Sequence, residues 1–185
     1  HMMVLFDFEL ELYKKIGTPV THVGHPLFDS LSAERSKGNL RREIGLKDHE
    51  AMLGLLPGSR RQEIRLILPE LLLAAQCIYE KRQDVRFVIP VAKASLKHLV
   101  DEAIAELGDK GLPLTVIDGR AHEVMKRSRV ALTASGTATL ELGFYQTPMV
   151  IVYKINALSK LVVPLLGLGL IGLVIFAVPL AYHTL

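Results

Sequence analysis

The chain has 185 residues, half of them hydrophobic, and a formal net charge of only +3. That is enough for one domain of ordinary size with a sizeable core. It excludes a polybasic nucleic-acid binder, because the cations are scattered, with only two mild clusters (Arg35, Lys37, Arg41, Arg42 and Arg60, Arg61, Arg65) and no interleaved aromatics. Arginines beside a glycine-containing loop suit small anionic ligands better.

His1-Met2, ahead of Met3, reads as an expression remnant and is set aside; no signal peptide follows it. Residues 3–30 hold two short apolar runs around Gly17-Thr18-Pro19 and end in Val23-Gly24-His25-Pro26, which reads as an interdomain or entry segment. Residues 31–50 are polar and charged, as in a helix or linker approach. From 51 to about 153 the pattern alternates between an apolar run of strand length, a turn and a helical stretch. The predicted strands are 51–56, 85–91, 114–117, 130–133 and 150–153, apolar on both parities as in strands covered on two faces. The predicted helices are 62–82, 94–107, 120–127 and 136–145. The first carries the stripe Ile64, Leu68, Leu71, Leu72, Ala75, Ile78, Tyr79, and Pro69 inside it predicts a kink or a split. The single cysteine, Cys77, excludes an internal disulfide. Set beside Ala75 and Ile78, it reads as a small core residue of a protein from a reducing compartment. Alternating β and α units predict an α/β fold, a Rossmann-like parallel sheet over residues 31–160 with right-handed crossovers.

Residues 161–180 carry no charge and have the length of a membrane span, but Pro164, Pro179, Gly167, Gly169 and Gly172 disfavour a soluble helix. Residues 161–185 therefore read as an apolar tail that inserts in or adheres to a membrane. The alternatives are a buried core segment or a sequence outside its native context. Outside a membrane, the exposed apolar surface would need cover from a missing half of the molecule or from a second copy, and a homo-oligomer is expected.

Two turns carry candidate chemistry. Pro57-Gly58-Ser59-Arg60 leaves the first predicted strand and opens a helix, at the strand end where open α/β sheets bind ligands. Gly58 lets the backbone approach an anion, Ser59 caps the helix or donates to phosphate, and Arg60 offers a fork to a diphosphate. As an ordinary turn, the same stretch would leave Arg60 merely exposed. The Gly-Lys-Ser/Thr ending of a Walker loop is missing. Ser135-Gly136-Thr137 likewise follows a strand and opens a helix, clustering N–H and O–H donors near a positive helix end. Glu141, one turn on, can accept both hydroxyls of a ribose; its bland reading is a solvated acid on a capped helix. His25 is a candidate catalytic residue, but Gly24-His25-Pro26 reads more readily as a rigid turn. Asp118-Gly119-Arg120 marks a turn whose main chain could meet a base. The histidines at 22, 49, 98, 122 and 183 lack metal-ligand spacing, so no metal site and no cofactor are expected.

Phe6-Asp7-Phe8-Glu9, Tyr13-Lys14-Lys15, Val20-Thr21-His22-Val23-Gly24-His25-Pro26-Leu27, Leu55-Leu56-Pro57-Gly58-Ser59-Arg60, Ala134-Ser135-Gly136-Thr137-Ala138-Thr139-Leu140-Glu141 and Val152-Tyr153-Lys154-Ile155-Asn156 follow one another in this order. Together, over residues 4–160, they resemble the lipid-A-disaccharide synthases, inverting glycosyltransferases of the two-Rossmann-domain (GT-B) class. The resemblance implies a metal-free transfer of an acylated glucosamine from its UDP derivative to a lipid monosaccharide phosphate. It implies a protein at the cytoplasmic face of the bacterial inner membrane, and no nucleic-acid partner. It assigns Arg60 to the donor diphosphate, Ser135, Gly136 and Thr137 to the phosphate pocket, and Glu141 to the ribose. The family's amino-terminal domain opens with Gly-Glu-x-Ser-Gly-Asp and brings the acceptor site and candidate base. That stretch does not occur here, so a donor-binding part inactive alone is expected. Beyond Lys160 the family's basic, Leu-Pro-Asn-containing region is replaced by the apolar run. UDP-GlcNAc epimerases and the lipid-II-forming transferase share the loop and Glu signals but not the Phe-Glu…Val-Gly-His-Pro-Leu opening. The competing reading is a non-catalytic, membrane-tethered nucleotide-binding or assembly module.

Overall fold

The computed structural model describes residues 1–33, 39–108 and 111–154, excepting the side chains of 32 and 33, and the backbone of 176–178. The remainder of the apolar run 161–180, and with it the expected tail, lies outside the described residues. The chain divides into two compact units, His1–Arg35 and Ser36–Leu185.

The first unit is a β-α-β unit. Strand β1 (Met2–Val4) and strand β2 (Val20–His22) pair in parallel, Met2 opposite Val20, across helix α1 (Asp7–Lys15); helix α2 (Pro26–Ala33) follows. Met2 takes part in this pairing, its N–H donating to Pro19 O at 2.8 Å. Helix α1 starts where the Glu9 carboxylate accepts the N–H groups of Leu5 and Phe6, at 3.1 and 3.0 Å. It has Asp7 and Glu9 in its first turn and Lys14 and Lys15 in its last, matching the helix dipole. Its apolar residues Phe8 and Leu12, and Ile16 at its C-cap, are nevertheless exposed.

The second unit is built on the predicted strands, now β3 (Ala51–Leu56), β4 (Val85–Val91), β5 (Leu114–Asp118), β6 (Val130–Ala134) and β7 (Met149–Val152). They form a parallel sheet in the order β5-β4-β3-β6-β7, and the short β8 (Phe176–Val178) adds antiparallel to β7. Strand β3 is central and β4 and β5 stack outward on one side, so the winding direction reverses between β3 and β6. The helices are α3 (Leu40–Glu43), α4 (Arg61–Lys81), α5 (Lys97–Leu107, after a short 3-10 turn), α6 (Ala121–Arg127) and α7 (Thr137–Phe144).

Alternation along β3 divides the core. Leu53 and Leu55 face α4 and α5, joining Leu68, Leu71, Phe87, Ile89 and Leu99. Met52 faces the other way, with Leu40, Val88 and Val124, and so does Leu56, with Met125, Ala131 and Leu142. At Gly54 an added Cβ would lie 2.8 Å from Ser128 Oγ and 3.3 Å from Val124, so the missing side chain lets α6 close on the sheet. Helix α4 runs through Pro69 as one element and not as two. Its buried side is Ile64, Ile67, Leu68, Leu71, Leu72 and Ala75. Cys77 lies two residues, about 200°, beyond Ala75 and is exposed. It is a surface thiol, contrary to the core position expected.

Candidate functional site

In a doubly wound sheet the loops leaving the strands on either side of the reversal diverge, and a crevice opens between them. Here those loops are 57–60, after β3, and 135–136, after β6. They share one cleft of about 430 Å³, lined by Gly58, Ser59, Arg60, Glu63, Ser135, Gly136, Thr137 and Glu141 among others. All seven residues expected to bind substrate therefore meet on one cleft. Arg60 and Glu141 are not on opposite edges of the sheet.

The two helix starts in this cleft differ. At α4 the N-cap is Arg60, one residue beyond the Ser59 cap expected. The capping group is Glu63. Its Oε2 accepts the N–H of Ser59 at 2.9 Å and of Arg60 at 3.1 Å, and its Oε1 accepts from Arg60 Nη1 at 2.7 Å. Gly58 has φ +109°, and a Cβ there would fall 2.2 Å from Glu63 Oε2. The anion for which Gly58 makes room is thus the chain's own carboxylate. The Arg60 side chain is 81% exposed and Glu63 27%, so an exposed guanidinium is held by a sheltered anchor. At α7, by contrast, no described side chain caps the helix and the first turn holds no acid. Thr139 Oγ1 donates to Gly136 O at 2.7 Å, which fixes the turn without occupying an amide.

Sequence reasoning missed several lining residues. Pro90 and Ala92 come from the end of β4, and Ala121, His122 and Met125 from the start of α6. His122 is half-buried, edge-on to Tyr145 with ring centroids 6.2 Å apart. Its signal was only positional, the strand-end loop after β5. Asp118-Gly119-Arg120 does not line the cleft. Arg120, at φ +54°, bonds Glu43 and Glu123 instead. Both carboxylates raise its pKa, Glu123 more than Glu43. A second cleft of about 340 Å³ adjoins the first across Arg60, Glu63 and Ser135, and is walled by Leu66, Ile67, Val152, Tyr153 and Lys154. In the first unit, His25 Nδ1 accepts the N–H of Leu27 at 3.1 Å and its ring lies against Phe6 and Phe28. That arrangement opens α2 and matches the rigid-turn reading. Among the described residues no group of three or more His, Cys, Asp or Glu side chains is placed to hold a metal ion. Among them, too, no helix is long and apolar enough to cross a membrane.

The model of the lipid-A-disaccharide synthetase family matches residues 1–175. The chain belongs to that family. The lipid-A-disaccharide synthase of Thiobacillus denitrificans is 40% identical over 185 residues, covering 97% of this chain and 49% of its own. That of Paraburkholderia phymatum is 39% identical over 159 residues, with 86% and 40% covered. The chain spans less than half the length of these relatives. Among solved structures, a putative UDP-N-acetylglucosamine 2-epimerase from Listeria monocytogenes superposes with a TM-score of 0.57 at 18% identity, over 79% of this chain and 40% of that one. The UDP-GlcNAc 2-epimerase of Neisseria meningitidis, solved with UDP-GlcNAc, gives 0.52 at 16%, over 80% and 43%. At such identity these likenesses establish the fold alone, an α/β fold built on a parallel sheet.

Proposed function

We propose that this chain is the donor-binding half of a lipid-A-disaccharide synthase-type glycosyltransferase and takes a UDP-diacylglucosamine in the cleft at the sheet reversal. One observation carries the reading: a guanidinium, an uncapped helix start and a carboxylate one helical turn apart share a single crevice. A diphosphate needs the first two, since developing negative charge on a leaving UDP is best met by fixed cations and backbone dipoles. A ribose suits the third, because a carboxylate accepts two neighbouring hydroxyls.

In this reading Arg60 and the amides of Gly136 and Thr137 hold the diphosphate, with Ser135 and Thr137 donating hydroxyls, and Glu141 orients the ribose. Inverting transfer also needs a base on the acceptor hydroxyl. We assign that base and the site of the lipid monosaccharide phosphate to polypeptide beyond this chain, which alone is then inactive in transfer. Two acylated substrates place the work at a membrane surface, the cytoplasmic face of the inner membrane.

Calorimetric titration of UDP tests the site. The native chain is expected to bind, and Arg60→Ala and Glu141→Ala are each expected to weaken binding about tenfold or more, the scale of one charge-assisted contact. Equal affinity in all three proteins would remove the cleft from consideration.

A further inference from the structure

Both helix starts in the cleft look like anion sites, yet one already contains an anion. We propose that Glu63 is the positioning residue of this cleft. Its carboxylate fills the site at the start of α4 and braces Arg60, so that a donor diphosphate is directed to the uncapped start of α7. The inference rests on the donor-binding reading above and deepens it by dividing the labour between the two loops.

Three contacts support it. The Ser59 and Arg60 amides, the donors a strand-end loop would offer a phosphate, are both taken by Glu63 Oε2. The same carboxylate grips the Arg60 guanidinium through its other oxygen, a bond that engages one of its five N–H donors. Gly58 has no side chain where one would strike Glu63 at 2.2 Å, so the backbone is shaped for the carboxylate that is there. A phosphate brought to those amides would face a carboxylate within hydrogen-bonding distance of the same donors, and like charges that close repel. At α7 no described acid stands in the first turn. Arg60 lines the crevice together with Gly136 and Thr137, so a diphosphate on α7 meets Arg60 from the flank.

The test uses the full chain and UDP as the probe, followed by amide NMR and calorimetry. In the native protein, UDP should shift the Gly136, Thr137 and Ala138 amides most and the Ser59 and Arg60 amides least. Without ligand, Glu63→Ala should speed hydrogen exchange at Ser59 and Arg60 about tenfold, since both lose a bond to a charged acceptor. Glu63→Gln keeps an acceptor for those amides and should exchange nearly as the native chain does, yet bind UDP several-fold more weakly, because Arg60 is no longer held by charge. In an Arg60→Ala background, Glu63→Gln should change affinity by less than about twofold, the mark of action through Arg60. Tighter UDP binding in either Glu63 variant would make Glu63 a competitor and overturn the proposal. So would an undiminished Glu63→Gln effect without Arg60, or dominant native shifts at Ser59 and Arg60. If UDP binds through 136–138 but ignores Glu63, only this inference fails. If UDP shifts nothing at 135–141, the donor reading fails and takes the inference with it.

Discussion

Replacing Gly58 by alanine perturbs the tightest backbone approach in the cleft. Two costs combine. At φ +109° a Cβ is disfavoured, at about 1–2 kcal/mol for a left-handed residue. The new methyl would also lie 2.2 Å from Glu63 Oε2 and 2.9 Å from its Cβ. Glu63 must therefore swing away, and α4 loses its capping group, worth about 1 kcal/mol. The sum is about 2–3 kcal/mol. With a urea m-value of about 2 kcal/mol/M, the midpoint falls by about 1 M with the slope unchanged. A second variant separates the costs. In a Glu63→Ala background the carboxylate clash and the cap are already gone and only the 2.9 Å approach to the Cβ at position 63 remains, so Gly58→Ala should cost less there than in the native chain. A Gly58→Ala midpoint within about 0.2 M of native would refute the reasoning, as would strict additivity of the two substitutions.

Two further outcomes follow from ion pairs elsewhere. Arg120→Ala leaves Glu123, buried to 8% exposure, without its bidentate partner. A loss of about 2–3 kcal/mol in chemical denaturation is expected, toward the lower end for breaking a buried pair because Glu43 remains near solvent. Glu50 has a pKa held below the usual carboxylate range, chiefly by the Lys47 N–H and also by Arg86. A depressed folded pKa stabilises the fold above the unfolded value and loses that contribution as pH falls through the folded one. Native and Glu50→Gln chains should therefore differ in thermal midpoint at pH 7 and converge as the pH drops below the ordinary carboxylate range.

Much of the fold was legible because the central strands are short, apolar on both parities and bounded by turns, as in a sheet covered on two faces. The strands at 51–56 and 85–91 match their predicted limits, and the others differ by about one residue. The sheet reversal was not predicted explicitly, yet it explains why two separately weak turns matter jointly: they leave adjacent strands β3 and β6. Less legible were features set by angle around a helix. Cys77 has apolar neighbours in sequence but projects opposite Ala75, and a reading from sequence neighbours ignores that angle, which the step of about 100° per residue carries. His122 was weighed only as a metal ligand, although its place just after a strand-end turn carried the more useful signal. Glu63 went unread because a Ser-Arg-Arg-Gln-Glu run reads as a solvated helix start. Only coordinates show the carboxylate turned back onto the loop.

The contrast between α4 and α7 reduces to one position. The third residue of α4 is Glu63, and the third of α7 is Thr139. An acid at this position can reach back to the N-cap N–H, whereas threonine only bonds the preceding carbonyl, as Thr139 does with Gly136 O. Thr139→Glu should therefore give α7 the closure that α4 has. The carboxylate would satisfy the Gly136 amide and complement the helix dipole, raising thermal stability by about 0.5–1 kcal/mol. It would also stand where a diphosphate is proposed to bind, so UDP affinity should fall by at least about tenfold even as stability rises. Glu63→Ala differs in sign on the first measure, since it uncaps a helix and destabilises. Opposite signs for stability and parallel losses of affinity cannot come from general damage to the fold. If Thr139→Glu gains stability and still binds UDP as the native chain does, the diphosphate does not rest on α7, and the division of labour between the two loops fails.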